Sequence, residues 1–530
     1  MSGAGLAASP REPSVQAAQL LRLGVAVQQE GDHQRAVAIF LDALQARADD
    51  WITHTCLGNS LRSLGRLDEA IAIHRRALEL GGDYRARANL SLAYREAGRL
   101  EEAIAILEEA IALQPDVAEL HGNLAGLLLA AHQPARAESA ARRALVLSPG
   151  EARFESNLGY ARKEQGDFAG AARHLRQAIA RDPHDADAHW NLGLTLLAAP
   201  TSDQDEAEGW RQLEWRQRIA GLRLAPRPET AAIPQWNGER LRGGALLLQA
   251  EQGLGDTLQF MRYARPAKEQ AGAGRIILEC QPALERLLRR CAGVDLVVPR
   301  GRALPEGPIA ARAGLFGLPM RLGGRAPGGT GTTPYLVAEP ERIAHWRALV
   351  AARTGAARFR IWIAWQGNPR YRADGRRSIP LAHFLPLVRA VAAAGGAVVS
   401  LQKGEGRQSL TALRGDVELA DLGAALDPDG PDDQPGGAFL DTAAVMAGLD
   451  LVITSDTAIP HLAGALGVPV WLALAHLPDW RWGLAGEACG WYPAMRLYRQ
   501  TSAGDWPGVF ARLIQAIRDR WSGSAGVTPP

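Results

Sequence analysis

The chain of 530 residues has room for three or four domains of ordinary size. Its 47% hydrophobic and 22% charged residues are the balance of a soluble globular protein, and a formal net charge of +2 gives nucleic acid or a membrane surface no electrostatic handle. Cys56, Cys280, Cys291 and Cys489 lie far apart with no CxxC pair, which argues against a zinc site or a disulfide framework and fits a reducing compartment. The N-terminus has no basic region ahead of an apolar core, and no run of 18 apolar residues occurs. The expectation is a cytoplasmic protein without a transmembrane segment.

Residues 17–199 repeat with a period of 34, once shortened to 33, with starts at Ala17, Trp51, Tyr84, Ala118, Ala152 and Ala186. The seventh position is Leu23, Leu57, Leu90, Leu124, Leu158 and Leu192; the eighth is always small. Alanine fills the twentieth (Ala36, Ala70, Ala103, Ala137, Ala171) and the twenty-seventh (Ala43, Ala77, Ala110, Ala144, Ala178). Small residues let two helices approach closely, and glycines Gly31, Gly65, Gly98 and Gly166 stand where the first helix of each pair must end. This pattern resembles the tetratricopeptide repeat, which stacks helix pairs into an α-solenoid with a concave face. Position six is Asn89, Asn123, Asn157 and Asn191 in the last four repeats. In a tetratricopeptide superhelix that position points into the groove, where an amide can hold an extended peptide backbone; local packing is the alternative. Asparagine ladders of this kind resemble those of protein O-GlcNAc transferases. The sixth repeat breaks at Ala199-Pro200, and its second helix resumes at about 206–218 as a cap and connection.

Pro226, Pro228 and Pro234 mark a linker. An apolar strand at 245–250 (ALLLQA) then runs into EQGLGDT and a helix. GxGxxG is absent, so a dinucleotide fingerprint does not fit. Asp256 reads either as a helix cap or as a general base. Strands at 275–279 and 295–298 with a helix between them argue for a small parallel sheet. Residues 301–334, rich in Gly, Pro and Arg, are left unordered.

A second α/β segment opens with a strand at 360–365 (RIWIAW). The turn-forming loop after it carries Arg370, Arg372, Arg376 and Arg377, suited to forked bonding of phosphate oxygens; a solvated basic loop is the alternative. A strand at 397–401 ends in Gln402-Lys403-Gly404, and a lysine at a strand's carboxyl end can reach a diphosphate. The Asp-x-Asp spacing within 427–437 reads as a solvated acidic turn rather than a metal motif. Residues 451–467 (LVITSDTAIPHLAGALG) form strand, polar turn and helix N-terminus, a junction with free N–H groups that suits an anion. Pro460 belongs in the first helical turn, which favours Thr457 over Asp456 as the cap and places Asp456 and His461 near the mouth. A strand at 468–473 follows, then PDWRW at 478–482, whose tryptophans either stack on a ligand or pack. Residues 505–521 are an amphipathic closing helix.

GLGDT at 253–257, WQGNP at 365–369, RRSIP at 376–380, SLQKGEG at 400–406, SDTAIPHLAGALG at 455–467 and PDWRW together resemble the heptosyltransferase-like family, glycosyltransferase family nine, with the domain order of the O-GlcNAc transferases. The resemblance implies two Rossmann-like lobes around a cleft, the GT-B arrangement. Residues 17–199 would be the repeats, 200–240 the capping helix and linker, 241–340 the acceptor lobe, 341–504 the nucleotide-sugar lobe and 505–521 the closing helix. It implies Asp256 as catalytic base, Arg377 and Lys403 as diphosphate contacts, and Asp456, Thr457 and His461 as the donor-binding turn. No metal or other cofactor is required, because Arg377, Lys403 and the helix N-terminus supply the charge. The expected partners are a nucleotide sugar and a protein or peptide in the repeat groove. The alternative is a non-catalytic scaffold with a vestigial transferase-like domain.

Overall fold

The computed structural model describes residues 13–219, 222, 227–323, 333–369, 374–413, 419–427 and 438–521. Arg370, Arg372, Pro226 and all of the acidic turn but Asp427 lie outside the described residues. The chain divides into two compact units at Ala188/His189.

The first unit is helical throughout. Its helices are α1 (Pro13–Gln29), α2 (His33–Ala46), α3 (Trp51–Ser63), α4 (Leu67–Glu79), α5 (Tyr84–Glu96), α6 (Leu100–Leu113), α7 (Ala118–Ala130), α8 (Pro134–Leu147), α9 (Ala152–Glu164) and α10 (Phe168–Arg181). Both alanine columns are buried, each member at most 1% exposed. At position eight, a Cβ on Gly24, Gly58 or Gly159 would meet Phe40, His74 or Leu175 at 2.5–2.7 Å, so the missing side chain lets the pair close. Gly31, Gly65, Gly98 and Gly166 all take left-handed φ of +75° to +85°, and the fourth repeat places His132 there at +57°. Leu57, Leu90, Leu124 and Leu158 are buried, whereas Leu23 is 48% exposed; no described pair precedes α1 to cover it.

The boundary between the units falls in α11 (Ala186–Ala198). Its partner α12 (Asp203–Leu213) starts three residues earlier than the sequence reading and continues as a 3-10 turn, Glu214–Arg218. The pair interlocks through glycine: Gly193 faces Leu213, and Gly209 faces Leu197.

Two sheets follow, both wholly parallel. The first has β1 (Ala245–Gln249), β2 (Arg275–Cys280), β3 (Leu296–Pro299) and β4 (Ile309–Gly314) in the order β3-β2-β1-β4. The second has β5 (Arg360–Ala364), β6 (Ala397–Ser400), β7 (Ala420–Asp421), β8 (Leu451–Thr454), β9 (Val470–Leu474) and β10 (Met495–Arg499) in the order β10-β9-β8-β5-β6-β7. Counted from its own first strand, the second sheet runs 3-2-1-4-5-6, the doubly wound order, and the first sheet is the same order stopped after four.

β4 lies in the stretch left unordered by sequence, and β10 was also missed. IAARAG has no apolar run to signal a strand. It is held instead from outside: the Arg312 amide donates to the Pro234 carbonyl, and the Trp236 amide to the Arg312 carbonyl, each at 2.8 Å. Thus the proline linker serves as a guide rail for the edge strand. The closing helix α19 (Trp506–Trp521) buries Val509, Phe510, Leu513 and Ile517 against the second sheet's core, and Trp521 stacks on Phe359 at 4.0 Å. Between α12 and α19 the second unit also contains α13 (Leu254–Phe260), α14 (Ala264–Ala271), α15 (Pro340–Thr354), α16 (Leu385–Ala393), α17 (Leu440–Met446) and α18 (Ala458–Ala465).

Candidate functional site

In a doubly wound sheet, ligands bind beyond the carboxyl ends of the first and fourth strands, where the winding reverses. This unit has two such points, and they differ. In the first sheet the point lies between the ends of β1 and β4, and the protein fills it itself. Glu251, just after β1, lies against Gly314 at the end of β4, where any Cβ would overlap its carboxylate. Fully buried Arg216 donates to Glu251 at 2.9 and 3.1 Å and also bonds Glu214, and Arg321 bonds Glu214 at 2.7 Å. The Phe316 amide donates to Glu251 at 3.0 Å.

In the second sheet the point lies between β5 and β8. Gly367, after β5, is the centre of a cluster: a Cβ there would stand 2.8 Å from Arg377 Nη2, 2.9 Å from Asp374 Oδ1 and 3.2 Å from Thr457 Cγ2. Arg377 Nε donates to buried Asp374 at 3.2 Å, and the Ser378 hydroxyl donates to the same carboxylate at 2.8 Å. Buried Gln402, after β6, accepts from the Trp365 and Gln366 amides at 3.0 Å and donates to the Gln366 carbonyl at 2.9 Å, fixing where the β5 loop leaves the sheet. Thr457 caps α18, its hydroxyl accepting from the Ile459 amide at 3.2 Å, and Pro460 is the third helical residue, as its missing N–H dictates.

The two sheets meet here. The cap of α13 is Gly253, not Asp256: Asp256 stands three residues inside and reaches back to accept the Gly253 amide at 2.9 Å. A Cβ on Gly255 would lie 3.3 Å from Ala458 Cα and from His461 Cδ2, so the glycine of GLGD lets the N-termini of α13 and α18 abut. Arg481 crosses the junction. Its Nε donates to Gln259 at 2.6 Å, Nη1 to Asp479 at 2.8 Å, and Nη2 to Asp256. Burial alone would lower its pKa, but the Asp479 and Asp256 carboxylates outweigh it and raise it.

Half-buried Asp456 follows β8. Burial, then the neighbouring Asp479 carboxylate, push its pKa up to about 7, against the opposing influence of Trp482, Arg481 and Arg377. His461 is buried, stacks on Trp482 at 5.2 Å and places Nδ1 3.1 Å from the Tyr492 hydroxyl. Burial, with Arg481 and Arg262 nearby, holds it well below the usual histidine range, so it is neutral at pH 7.

Of the residues singled out by sequence, Arg377, Asp456, Thr457 and His461 therefore share one neighbourhood with Asp256. Exposed Lys403 instead donates to the Asp427 carbonyl at 2.5 Å. Trp480 is a packing residue, meeting Trp210 edge-on at 5.4 Å, whereas Trp482 stacks on His461 beside Asp456. Sequence reasoning missed Arg481, Asp374 and Gln402. The one available signal for Arg481 was a cation set between two tryptophans beside Asp479.

In the first unit, Asn89, Asn123 and Asn157 are half-buried. Asn157 donates to the Gly122 carbonyl of the preceding repeat at 3.0 Å, and Asn123 accepts from Arg153 of the following one at 2.8 Å. Two members of the column thus tie neighbouring repeats together.

Among the described residues no helix is long and apolar enough to cross a membrane, and no three His, Cys, Asp or Glu side chains gather as a metal site. Three tetratricopeptide-repeat family models match residues 51–116, 94–156 and 156–210, and these segments are tetratricopeptide repeats. The chain is similar to Protein FlbA of Caulobacter vibrioides, 26% identical over 460 residues, which span 77% of this chain and 74% of FlbA. Among solved structures, Pseudomonas aeruginosa PilF matches with a TM-score of 0.35 at 17% identity, over 40% of this chain and 95% of PilF. TTC0263, a TPR protein of Thermus thermophilus, matches with a TM-score of 0.29 at 23% identity, over 34% of this chain and 99% of its own.

Proposed function

We propose that residues 241–504 are a metal-independent GT-B glycosyltransferase that moves a sugar from a nucleotide-sugar donor to a protein or glycan acceptor. The repeats recruit the protein partner or acceptor. One observation carries this reading: of two topological switch points, the first is filled by an Arg–Glu network, whereas the second gathers Arg377, Asp374 and Thr457, the cap of α18, around a glycine. A nucleoside diphosphate gains negative charge as its bond to the sugar breaks. A guanidinium and the N–H groups of a helix start are the groups that stabilise such charge without a metal. Amides of the asparagine column can hold a peptide backbone.

The test is calorimetry with UDP, ADP, GDP and their sugars on the wild type and on Arg377→Ala. Selective binding of one nucleotide is expected, weakened roughly 10- to 100-fold by the substitution, the worth of a charge-assisted contact. A folded wild type that binds none of them refutes the reading. A second reading is a nucleotide-sensing scaffold, favoured by the commitment of both Asp256 oxygens to Gly253 and Arg481. Binding without release of nucleotide from any of the sugars would support it.

A further inference from the structure

The single helical turn Asp374–Arg377 follows β5 in the chain and is fastened to the exit of that strand. Just past the turn, the Ile379 amide donates to the Trp365 carbonyl at 2.8 Å, and the Ser378 hydroxyl accepts from the Gly367 amide at 3.3 Å. The Trp365 amide is itself held by Gln402. Within this frame Asp374 is only 6% exposed, although it carries a carboxylate. Both of its oxygens are engaged: Oδ1 accepts from Arg377 Nε at 3.2 Å and Oδ2 from the Ser378 hydroxyl at 2.8 Å. Its carbonyl accepts from the Ser378 amide at 2.8 Å.

A guanidinium is a planar, rigid fork, so a bond at Nε sets the direction of its two terminal nitrogens. Here Nη2 of half-buried Arg377 comes to the switch point: it and Thr457 Cγ2 stand 2.8 and 3.2 Å from the position of a Cβ on Gly367. Burying a carboxylate next to an anion site costs free energy twice, by lost solvation and by repulsion of the anion. A gain must offset that cost. A long arginine side chain free in solvent loses its rotamer freedom when it binds, whereas one already held has lost it on folding.

We propose that Asp374 is a positioning residue, whose carboxylate pre-sets the Arg377 guanidinium for the diphosphate without touching the ligand itself. The inference rests on the donor-binding function proposed above. The role has a sign of its own. A carboxylate that only stood near the anion would weaken binding, and its removal would strengthen it. A carboxylate that holds the guanidinium in place does the reverse.

The experiment is calorimetric titration of the full chain with UDP, ADP and GDP. It compares the wild type, Asp374→Ala, Asp374→Asn, Arg377→Ala and the double variant Asp374→Ala with Arg377→Ala, with circular dichroism as the check of folding. Asp374→Ala should weaken the nucleotide by about 3- to 10-fold, the worth of immobilising one long side chain. Asp374→Asn should restore most of the loss, because an amide can still accept from Nε and can donate to the Ser378 oxygen. On top of Arg377→Ala, Asp374→Ala should cost nothing further. Ser378→Ala, which releases Oδ2, should give a smaller loss in the same direction and stands in for Asp374→Ala if that variant does not fold.

Unchanged or tighter binding in both Asp374 variants, or in Ser378→Ala where it stands in, overturns the proposal. So does a loss that persists in the double variant, which would mark Asp374 as a support of the turn alone, or one that Asp374→Asn fails to restore. In each of those cases, nucleotide binding that Arg377→Ala weakens leaves the donor site standing. A wild type that binds no nucleotide removes the donor site and the proposal together.

Discussion

His74 occupies the column that Phe40, Leu107 and Leu175 fill in other repeats, its ring pressed against Gly58, and it is fully buried. Among the described residues neither ring nitrogen has a hydrogen-bond partner. Burial, with Arg62 nearby, lowers its pKa to about 4. A histidine depressed below its unfolded value leaves stability intact above that value, near 6.5, and takes it away as pH falls toward 4. Linkage between those two values gives a loss of about 2 kcal/mol between pH 7 and pH 5. Leucine at this position would face a glycine, as Leu175 faces Gly159. His74→Leu should therefore gain about 1–2 kcal/mol at pH 7, where two unpaired polar atoms are removed, and about 3–4 kcal/mol at pH 5. Urea unfolding of the full chain, followed by the helical circular-dichroism signal at both pH values, measures this. Equal pH slopes in wild type and variant would falsify the reasoning.

Arg481→Met should destabilise the second unit by about 3–5 kcal/mol, because it strands two carboxylates in a low-dielectric junction. Adding Asp256→Asn should recover part of that loss. The reporter is tryptophan fluorescence, since every tryptophan except Trp51 lies beyond residue 188; a loss below about 1 kcal/mol, the worth of a surface pair, counts against the latch. Gly65→Ala should cost roughly 1–2 kcal/mol by backbone strain alone, because φ is +75° and no atom would touch the added methyl. Thermal unfolding reads that loss, and an unchanged midpoint would show that the left-handed turn relaxes.

The sequence by itself determined the repeats, because their period is local physics. A small residue at position eight and alanine at two further positions are each dictated by one helix lying on its neighbour, and those columns are the buried ones. It determined the strand–turn–helix at 451–467 as well, down to Thr457 as cap, because proline without an N–H has few places in a helix. The tertiary structure alone decided what those pieces meet. β4 has no apolar run and is made a strand by partners distant in sequence, β1 on one side and the Pro234–Trp236 backbone on the other. Asp256 looked free in the chain, yet Arg481, 225 residues away, holds it. Lys403, at the end of its strand, turns to a carbonyl instead of the glycine cluster. Asp456 owes its raised proton affinity to burial and to Asp479, contributed by a different loop. Periodicity encodes neighbours one turn or one repeat away, whereas charge, burial and strand order depend on segments that only the folded chain brings together.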